Sequence, residues 1–530
     1  MDYKDLLERT CDMAIDFLRG LRSRPVAPQV DFDVLLASMG GSLPLEGEDS
    51  LRVVEHLQRA ADPAVVASVG PRYFGFVVGG ALPAAVAADW LTTTWDQNAF
   101  SYVLSPAAAA VEEILRGWLL DLLGLPGEMS IGFVTGGTMA NFTALAAARH
   151  ALLRKAGWNV EEQGLFGAPA IPVVTSEESH VSIFSSLQML GLGRDRVIKV
   201  RTDGQGRMRP DALRSALTEI STPVLVCAQA GNVNTGAFDP IEEVVGCVHE
   251  RSGWLHVDGA FGLWAATSTT LQALVKGIEL ADSASVDCHK WLNVPQDSGL
   301  VFVRDAAAHH AAMTLNAPYY VPAEGVVREN HNWVPEASRR ARGFPVYVAL
   351  RVLGRSGLAE LIDRCCRLAK RMAERLAESR GVQILNEVVL NQVLVRFSPK
   401  NGGDPDAFTS EVIIRVQKEG TCWLGGTTWH GMHAMRVSIS NWSTTENDID
   451  VSADAILSCA QAVACEWKRL EKTGKSSPGT APGTNRKGVA HKDYDQESYH
   501  STRRRSPANE RNGHTSTAFA RWTGHGQDLD

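Results

Sequence analysis

The sequence has no apolar run long enough to span a bilayer and no excess of basic residues. Its 530 residues include 52 lysines and arginines against 60 aspartates and glutamates, which gives a formal net charge of −8. A membrane-spanning helix needs about 20 consecutive apolar residues, and nucleic-acid binding favours a basic surface. We therefore expect no membrane segment and no nucleic-acid partner. The N-terminus carries acids where a secretory signal has a basic-then-apolar pattern, which predicts a cytoplasmic protein.

Cysteine and histidine are placed in ways that exclude further classes of site. The nine cysteines are odd in number and include no C-x-x-C pair, so we expect reduced thiols and no disulfide framework. Cys288 is interpreted as a packing residue and not as a nucleophile. The pairs His309 with His310 and His430 with His433 have no carboxylate or cysteine at ligand spacing, so the sequence predicts no metal site.

One lysine stands at the centre of ADSASVDCHKWLN, residues 281–293. The small residues before Cys288 predict a buried strand, and Trp291 follows the lysine, so we expect the Lys290 amine to be shielded from bulk water. Desolvation disfavours the charged form of an amine, and the neutral form is the one that condenses with an aldehyde. For a lone lysine, a side chain that reaches from the strand end to solvent is the alternative interpretation.

A carboxylate candidate precedes it in GWLHVDGAFG, residues 253–262. Residues 254–257 predict a short apolar strand, and Asp258 lies at its carboxyl end, where α/β sheets bind ligands. Gly259 and Ala260 leave room for a flat group against the backbone.

Asp258 and Lys290 are 32 positions apart. Their spacing resembles that of fold-type I pyridoxal-phosphate enzymes of the group II amino-acid decarboxylase family, which includes aromatic-L-amino-acid and glutamate decarboxylases. The resemblance covers residues 10 to 470. It implies pyridoxal 5'-phosphate as the cofactor, with Asp258 paired to the pyridine nitrogen and Lys290 joined to the cofactor as a Schiff base. It also adds Ala260 and His289 to the expected cofactor contacts.

The motif GFVTGGTMANFT, residues 132–143, predicts a glycine turn that leads into a helix. The free amides and the dipole of a first helical turn form an anion site, although glycines before a core helix are common. The motif has neither the lysine of a P-loop nor the spacing of G-x-G-x-x-G, so it does not predict a nucleotide site. In the resembled family the matching residues bind the cofactor phosphate, which implies this role for Gly137 and Thr138.

His180 opens a predicted helix after a strand and a polar turn. A histidine in this place can simply cap the helix. The family pattern S-x-x-x-H-x-S, however, matches Ser176, His180 and Ser182. The resemblance therefore implies that His180 stacks on the cofactor ring and takes part in catalysis.

The resemblance also indicates a substrate pocket. Phe76 and Phe100 correspond to residues that line the side-chain pocket, and Asn234 corresponds to a residue near the cofactor or the substrate carboxylate. These aromatic residues favour an aromatic substrate, although aromatics are also ordinary core residues. Arg436 is expected either to contact a substrate carboxylate or to lie at the surface or a dimer contact.

A long segment of weak periodicity, residues 306–333, is typical of a functional loop. Tyr319 corresponds to a mobile-loop tyrosine that in the family protonates the substrate's α-carbon after CO2 leaves, and Tyr320 is the alternative if the register slips. Relatives with phenylalanine at this position make aldehydes by oxidative deamination. Tyr319 thus favours decarboxylation.

Strands that alternate with helical stretches predict a mostly parallel sheet. With the resemblance, they predict an α/β fold-type I enzyme that has a seven-stranded, helix-flanked sheet in its large domain, a smaller C-terminal α+β domain and an N-terminal helical arm. The predicted parts are an N-terminal arm and dimer clasp (1–95), a large cofactor domain (96–340), a small C-terminal domain (341–471) and a disordered tail (472–530), which has almost no aliphatic residues.

The sequence thus predicts a homodimeric, pyridoxal-phosphate-dependent decarboxylase that converts an L-amino acid to its amine and CO2. The same cofactor constellation serves other lyases, aminotransferases and aldehyde-forming enzymes, which remain alternatives. A catalytically inactive binding homologue is a further alternative, disfavoured because the lysine, aspartate and histidine are all present.

Overall fold

The computed structural model of the chain describes residues 3–28, 30–315, 328–400 and 402–472. The strands are β1 (Ser130–Val134), β2 (Val173–Ser176), β3 (Ile198–Val200), β4 (Leu225–Gln229), β5 (Trp254–Asp258), β6 (Ser283–Asp287), β7 (Gly299–Val303), β8 (Val382–Ile384), β9 (Gln392–Phe397), β10 (Gly425–Trp429) and β11 (Met432–Ser438). The helices are α1 (Tyr3–Gly20), α2 (Phe32–Met39), α3 (Ser50–Ala61), α4 (Pro83–Trp95), α5 (Pro106–Leu122), α6 (Gly137–Lys155), α7 (Val160–Gln163), α8 (Val181–Met189), α9 (Pro210–Thr218), α10 (Ile241–His249), α11 (Ala306–Met313), α12 (Gly343–Ala377), α13 (Pro405–Glu419) and α14 (Glu446–Lys472). The predicted disordered tail lies outside the described residues, apart from Lys472.

A seven-stranded sheet forms the centre of the large domain, in the order β1-β7-β6-β5-β4-β2-β3. Only β7 runs antiparallel to its neighbours. Strands β1, β2, β4, β5, β6 and β7 are buried along their whole length, as expected where helices cover both faces of a sheet. The predicted mostly parallel sheet of seven strands is confirmed.

Helix α6 packs against β5, β6 and β7 on one face of this sheet. It is rich in alanine, and most of its residues between Ala140 and Leu153 are buried. Small side chains let the helix lie close to the strands, so its first turn is held at the carboxyl ends of β5 and β6. This position matters because the predicted phosphate-binding residues belong to that turn.

A four-stranded antiparallel sheet, in the order β10-β11-β9-β8, forms the smaller C-terminal part with α13 and α14. Helix α12 leads into it and is broken at Gly354, whose φ of 60° suits glycine. These elements agree with the predicted α+β domain, whereas the boundaries at residues 95, 340 and 471 stay predictions.

Helices α2 and α3 lie within the predicted N-terminal helical arm. One stretch differs from the sequence-based expectation. The stretch 306–333 begins with α11, which packs on α6, so its first part is not a loop. His309 explains the anchoring, because its two ring nitrogens are 2.8 Å from Ser130 Oγ and 2.9 Å from the Trp333 carbonyl oxygen.

The described helices include none that is both long and apolar enough to cross a membrane. All nine cysteines are among the described residues, and all are free thiols. The cytoplasmic location expected from the N-terminus stays a prediction.

Candidate active site

A cavity of about 330 Å³ opens at the carboxyl ends of the large sheet. We call it the strand-end cavity. It is lined by Thr135, Gly136, Gly137, Thr138, Met139, His180, Ser182, Ala260, Asp287, His289 and Lys290. These residues follow or end β1, β2, β5 and β6, because strands that run parallel bring their last residues to one edge. Six residues predicted to contact the cofactor meet there.

Lys290 reaches the cavity from the turn that follows β6. Its Nζ lies 2.8 Å from Asp287 Oδ2, and its side chain is 20% exposed. The backbone of Gly79 packs so tightly against the Lys290 carbonyl that a Cβ at residue 79 would overlap it. The lysine is therefore fixed at its backbone and paired at its amine, and it does not extend from the strand end to solvent.

Asp258 ends β5 and is 7% exposed. Asn141 Nδ2 donates to its Oδ2 at 3.0 Å, and the Ala260 amide donates to its Oδ1 at 3.1 Å. The hydroxyls of Ser182 and Ser285 each lie 3.5 Å from a carboxylate oxygen. A buried carboxylate needs such donors, and they fix its position beside the cavity.

A further layer of hydrogen bonds holds Asn141 itself. Ser285 Oγ donates to Asn141 Oδ1 at 2.6 Å, and His256 Nε2 lies 2.9 Å from the same oxygen. Because Asn141 Oδ1 is an acceptor, His256 carries its proton on Nε2, and its Nδ1 accepts from Ser283 Oγ at 3.0 Å. Burial lowers the pKa of His256 to about 4, so this imidazole is neutral near pH 7.

The neutral His256 makes stability depend on pH in a predictable direction. An unfolded imidazole has a pKa near 6.5, so the unfolded chain binds this proton more readily than the folded chain. The contribution of His256 to the free energy of unfolding is complete above pH 6.5. It is lost as the pH falls towards 4, at up to about 1.4 kcal/mol per pH unit. We expect His256→Gln to reduce this slope in denaturant unfolding measured across that range. The exposed His56→Gln should leave the slope unchanged, and an equal slope in the His256 variant would contradict the assignment.

His180 both caps α8 and faces the strand-end cavity. Its Nδ1 accepts from the Ser182 amide at 3.3 Å and lies 2.8 Å from Ser182 Oγ, which leaves the ring proton on Nε2. Desolvation lowers the pKa of His180, although the nearby Asp258 charge acts in the opposite direction. The capping role and the proposed cofactor contact are therefore compatible in one residue.

The start of α6 has the form that a phosphate group needs. A Cβ at Gly136 would lie 3.0 Å from His289 Cε1, and one at Gly137 would lie 2.9 Å from Asp287 Oδ2. Glycine thus lets the cavity wall approach the helix start, whose first amides have no partner within the helix. Lys290 supplies an amine and Asp258 a carboxylate nearby, so the donor set fits pyridoxal phosphate.

The residues predicted for the substrate pocket do not line the strand-end cavity. Phe100 is buried and stacks on His331 with ring centroids 4.2 Å apart. Asn234 is buried and accepts from Thr427 Oγ1 at 2.9 Å. Phe76 is 54% exposed and stacks on Trp423 with ring centroids 5.8 Å apart. Trp423 also stacks on Tyr73, with ring centroids 5.2 Å apart. Tyr319 and Tyr320 lie outside the described residues.

Arg436 on β11 faces the large domain. Its guanidinium donates to the Val233 carbonyl oxygen at 3.3 Å, and no carboxylate pairs with it among the described residues. Burial lowers the pKa of Arg436 to about 10, and its charge also acts on His180. Arg436 is half-buried, and its contact with a substrate carboxylate stays a prediction.

Sequence reasoning missed Asp287, Asn141 and His256. Asp287 and His256 lie inside the two motifs that pointed to Lys290 and Asp258, so proximity in sequence was an available signal. The only sequence signal for Asn141 was its position in the glycine-turn motif. Its contact with Asp258 joins α6 to β5, which are far apart in the sequence.

The pyridoxal-dependent decarboxylase conserved domain matches residues 35–398. An aromatic-L-amino-acid decarboxylase of Bacillus atrophaeus is 27% identical over 461 residues, which cover 85% of this chain and 94% of that protein. An L-2,4-diaminobutyrate decarboxylase of Rhizobium meliloti is 30% identical over 380 residues, with coverage of 70% and 74%. The solved structure of Oryza sativa TDC with PLP and tryptamine superposes with a TM-score of 0.82 at 22% identity, covering 87% of this chain and 98% of that one.

Proposed function

This chain belongs to the pyridoxal-dependent decarboxylase family, and from that premise we propose that it converts an aromatic L-amino acid to the corresponding amine and CO2. The observation that carries the proposal is the strand-end cavity, to which Lys290 brings an amine paired with a buried carboxylate. Asp258 is held beside it by its own donors. Pyridoxal phosphate is the family's cofactor, and when bound it supplies an electron sink.

The cavity residues have distinct proposed roles. Lys290 attaches the cofactor through its amine and releases it to the amine of the substrate. Asp258 holds a proton on the cofactor's ring nitrogen, because an ionised neighbour favours the charged ring. His180 lies against the ring with Ala260 and His289 beside it, and the amides of Gly137 and Thr138 hold the phosphate. Arg436 is proposed to bind the substrate's α-carboxylate.

Three aromatic side chains support an aromatic substrate. Trp423 lies between Tyr73 and Phe76, with interplanar angles of 8° and 19°. Phe76 has a φ of 53°, which is strained for a bulky side chain and is more common at functional sites. Carbon dioxide release from tryptophan, tyrosine, phenylalanine, DOPA, 5-hydroxytryptophan, glutamate and 2,4-diaminobutyrate tests the proposal. Preference for glutamate would contradict it.

One observation favours a second substrate class, amino acids with a cationic side chain. Glu178 precedes His180 by two residues, and desolvation raises its pKa. Among the described residues its carboxylate has no lysine or arginine partner, although a charge on the nearby His430 would act in the opposite direction on this pKa. If 2,4-diaminobutyrate is the preferred substrate, Glu178→Gln should raise its KM while leaving the cofactor attached.

The loop tyrosine provides a test of reaction type. We expect Tyr319→Phe to suppress amine formation, because the α-carbon then lacks its proton donor. In the presence of dissolved O2, which accepts two electrons and leaves as hydrogen peroxide, turnover should be diverted to aldehyde and ammonia. Product ratios by chromatography measure the change. Tyr320→Phe is the matched control and should keep the amine as product; the reverse pattern would transfer the role to Tyr320, and two unaffected variants would remove both residues from the mechanism.

We propose a homodimer in which the N-terminal arm packs on a second copy of the chain. Helices α2 and α3 bury no residue within the described part of the chain, and α1 buries only Met13. Leu43 and Leu45 are 94% and 100% exposed. Exposed apolar surface of this extent favours a protein partner.

Analytical ultracentrifugation tests the dimer. The wild type should sediment at twice the mass of one chain, and the double variant Leu43→Glu, Leu45→Glu should shift towards the monomer because it places charge in the proposed contact. Ile414→Glu, at an exposed position on α13, is the control. A monomeric wild type would contradict the proposal.

A further inference from the structure

The strand-end cavity contains a carboxylate at the place proposed for the phosphate. Asp287 is 1% exposed, and its Oδ2 would be 2.9 Å from a Cβ built on Gly137, at the first turn of α6. The same oxygen lies 2.8 Å from Lys290 Nζ and 3.9 Å from His289 Nε2. Its Oδ1 is buried and has no hydrogen-bond partner among the residues that the structure describes. The Asp287 carboxylate therefore lies at the first turn of α6, where the cofactor phosphate is also proposed to bind.

The charges around this carboxylate leave little to neutralise a second anion. Lys290 is its cationic partner, and His289 faces it, but desolvation lowers the pKa of His289 and favours the neutral ring. The remaining lining residues include no lysine or arginine. A phosphate ester carries about −1.5 to −2 charges near pH 7. When Lys290 holds the cofactor, its amine is no longer free to neutralise Asp287.

We propose that Asp287 opposes the phosphate of pyridoxal phosphate and thereby sets how weakly this chain holds its cofactor. The inference rests on the proposed function of the cavity. Without cofactor, Asp287 stabilises the Lys290 ammonium and occupies the positive end of α6. With the cofactor bound, two anions would share one buried site, where like charges repel strongly. Asp287 is a positioning residue for Lys290 and an affinity-limiting residue for the phosphate.

The test is equilibrium binding of three ligands to cofactor-stripped protein, followed by tryptophan fluorescence. Pyridoxal 5'-phosphate carries both aldehyde and phosphate, pyridoxal only the aldehyde, and pyridoxamine 5'-phosphate only the phosphate. Asp287→Asn should lower the Kd of both phosphate-bearing ligands by about tenfold or more. Pyridoxal should gain much less, because the substitution removes the partner of the Lys290 ammonium but pyridoxal has no phosphate to be repelled. Asp195→Asn, which removes a surface carboxylate with a 92% exposed side chain, should change none of the three.

The pattern across the three ligands decides the outcome. An equal gain for pyridoxal would show that the substitution acts through the Lys290 amine, and a weaker Kd for the phosphate-bearing ligands would show that Asp287 helps to hold the phosphate; either result overturns the inference. Asp287→Ser repeats the test if the asparagine variant does not fold. Failure of the proposed function looks different, because wild type and variants would then bind no pyridoxal phosphate at all.

Discussion

Replacing Lys290 with alanine should reduce the rate of decarboxylation by about 10⁴-fold or more, as is typical when a covalent catalytic group is removed. The cofactor would lose its attachment point, so the absorbance of the bound cofactor should disappear and borohydride should no longer fix it to the chain. Peptide mass spectrometry of the reduced wild type should place the cofactor on Lys290. A colourless wild type, or a label on another lysine, would contradict the assignment.

The same substitution should also affect stability. It leaves Asp287 as a buried carboxylate without its cation, and breaking such a pair by removing one partner costs about 3–5 kcal/mol. The double variant Lys290→Ala, Asp287→Ala removes both charges and should recover much of the lost free energy of unfolding without recovering activity. Lys276→Ala removes an exposed lysine that pairs with Glu242, and it should change neither quantity by much. A double variant as unstable as the single one would contradict the buried pair.

The proposed functions of Asp258, His180 and Lys290 could be inferred from sequence because each belongs to a short motif at a predicted strand or helix end. What brings them together is the register of parallel strands, which pairs Asp258 on β5 with Ser285 on β6. Alternation of strands and helices predicts such a sheet but not its register.

Other features depend on contacts that no local pattern encodes. Phe100 and Asn234 were expected near the substrate, but their packing is decided by His331 and Thr427, each far away along the chain. The sequence did not single out Asp287, because Lys290 three residues later was sufficient to explain the motif. The exposed faces of α2 and α3 can be recognised only once the rest of the chain is in place, because the sequence does not show which of their residues another element covers.

Asp258→Asn should lower kcat by about 10²-fold or more while the cofactor stays attached to Lys290, because the substitution removes charge and keeps shape. The asparagine oxygen can still accept from Asn141, so the cavity wall should persist. If the carboxylate acts mainly as charge develops on the ring, kcat should fall far more than KM rises. Single-turnover CO2 release measures the loss of kcat, and cofactor absorbance recorded in the same sample shows whether the cofactor stays attached.

A buried carboxyl group in the segment between β4 and α10 provides the control for Asp258. Asp239 accepts from the amides of Met208 and Gln229 at 2.6 and 2.8 Å, and burial raises its pKa to about 7. Asp239→Asn should lower the free energy of unfolding while kcat stays near the wild-type value. The amides that Asp239 accepts from, those of Met208 and Gln229, do not belong to cavity-lining residues, whereas Asp258 contacts the lining residues Ala260 and Ser182. Asp258→Glu should retain more activity than Asp258→Asn, since it keeps the charge. If the asparagine and glutamate variants were equally impaired, the size of the side chain and not its charge would be the property that the reaction requires.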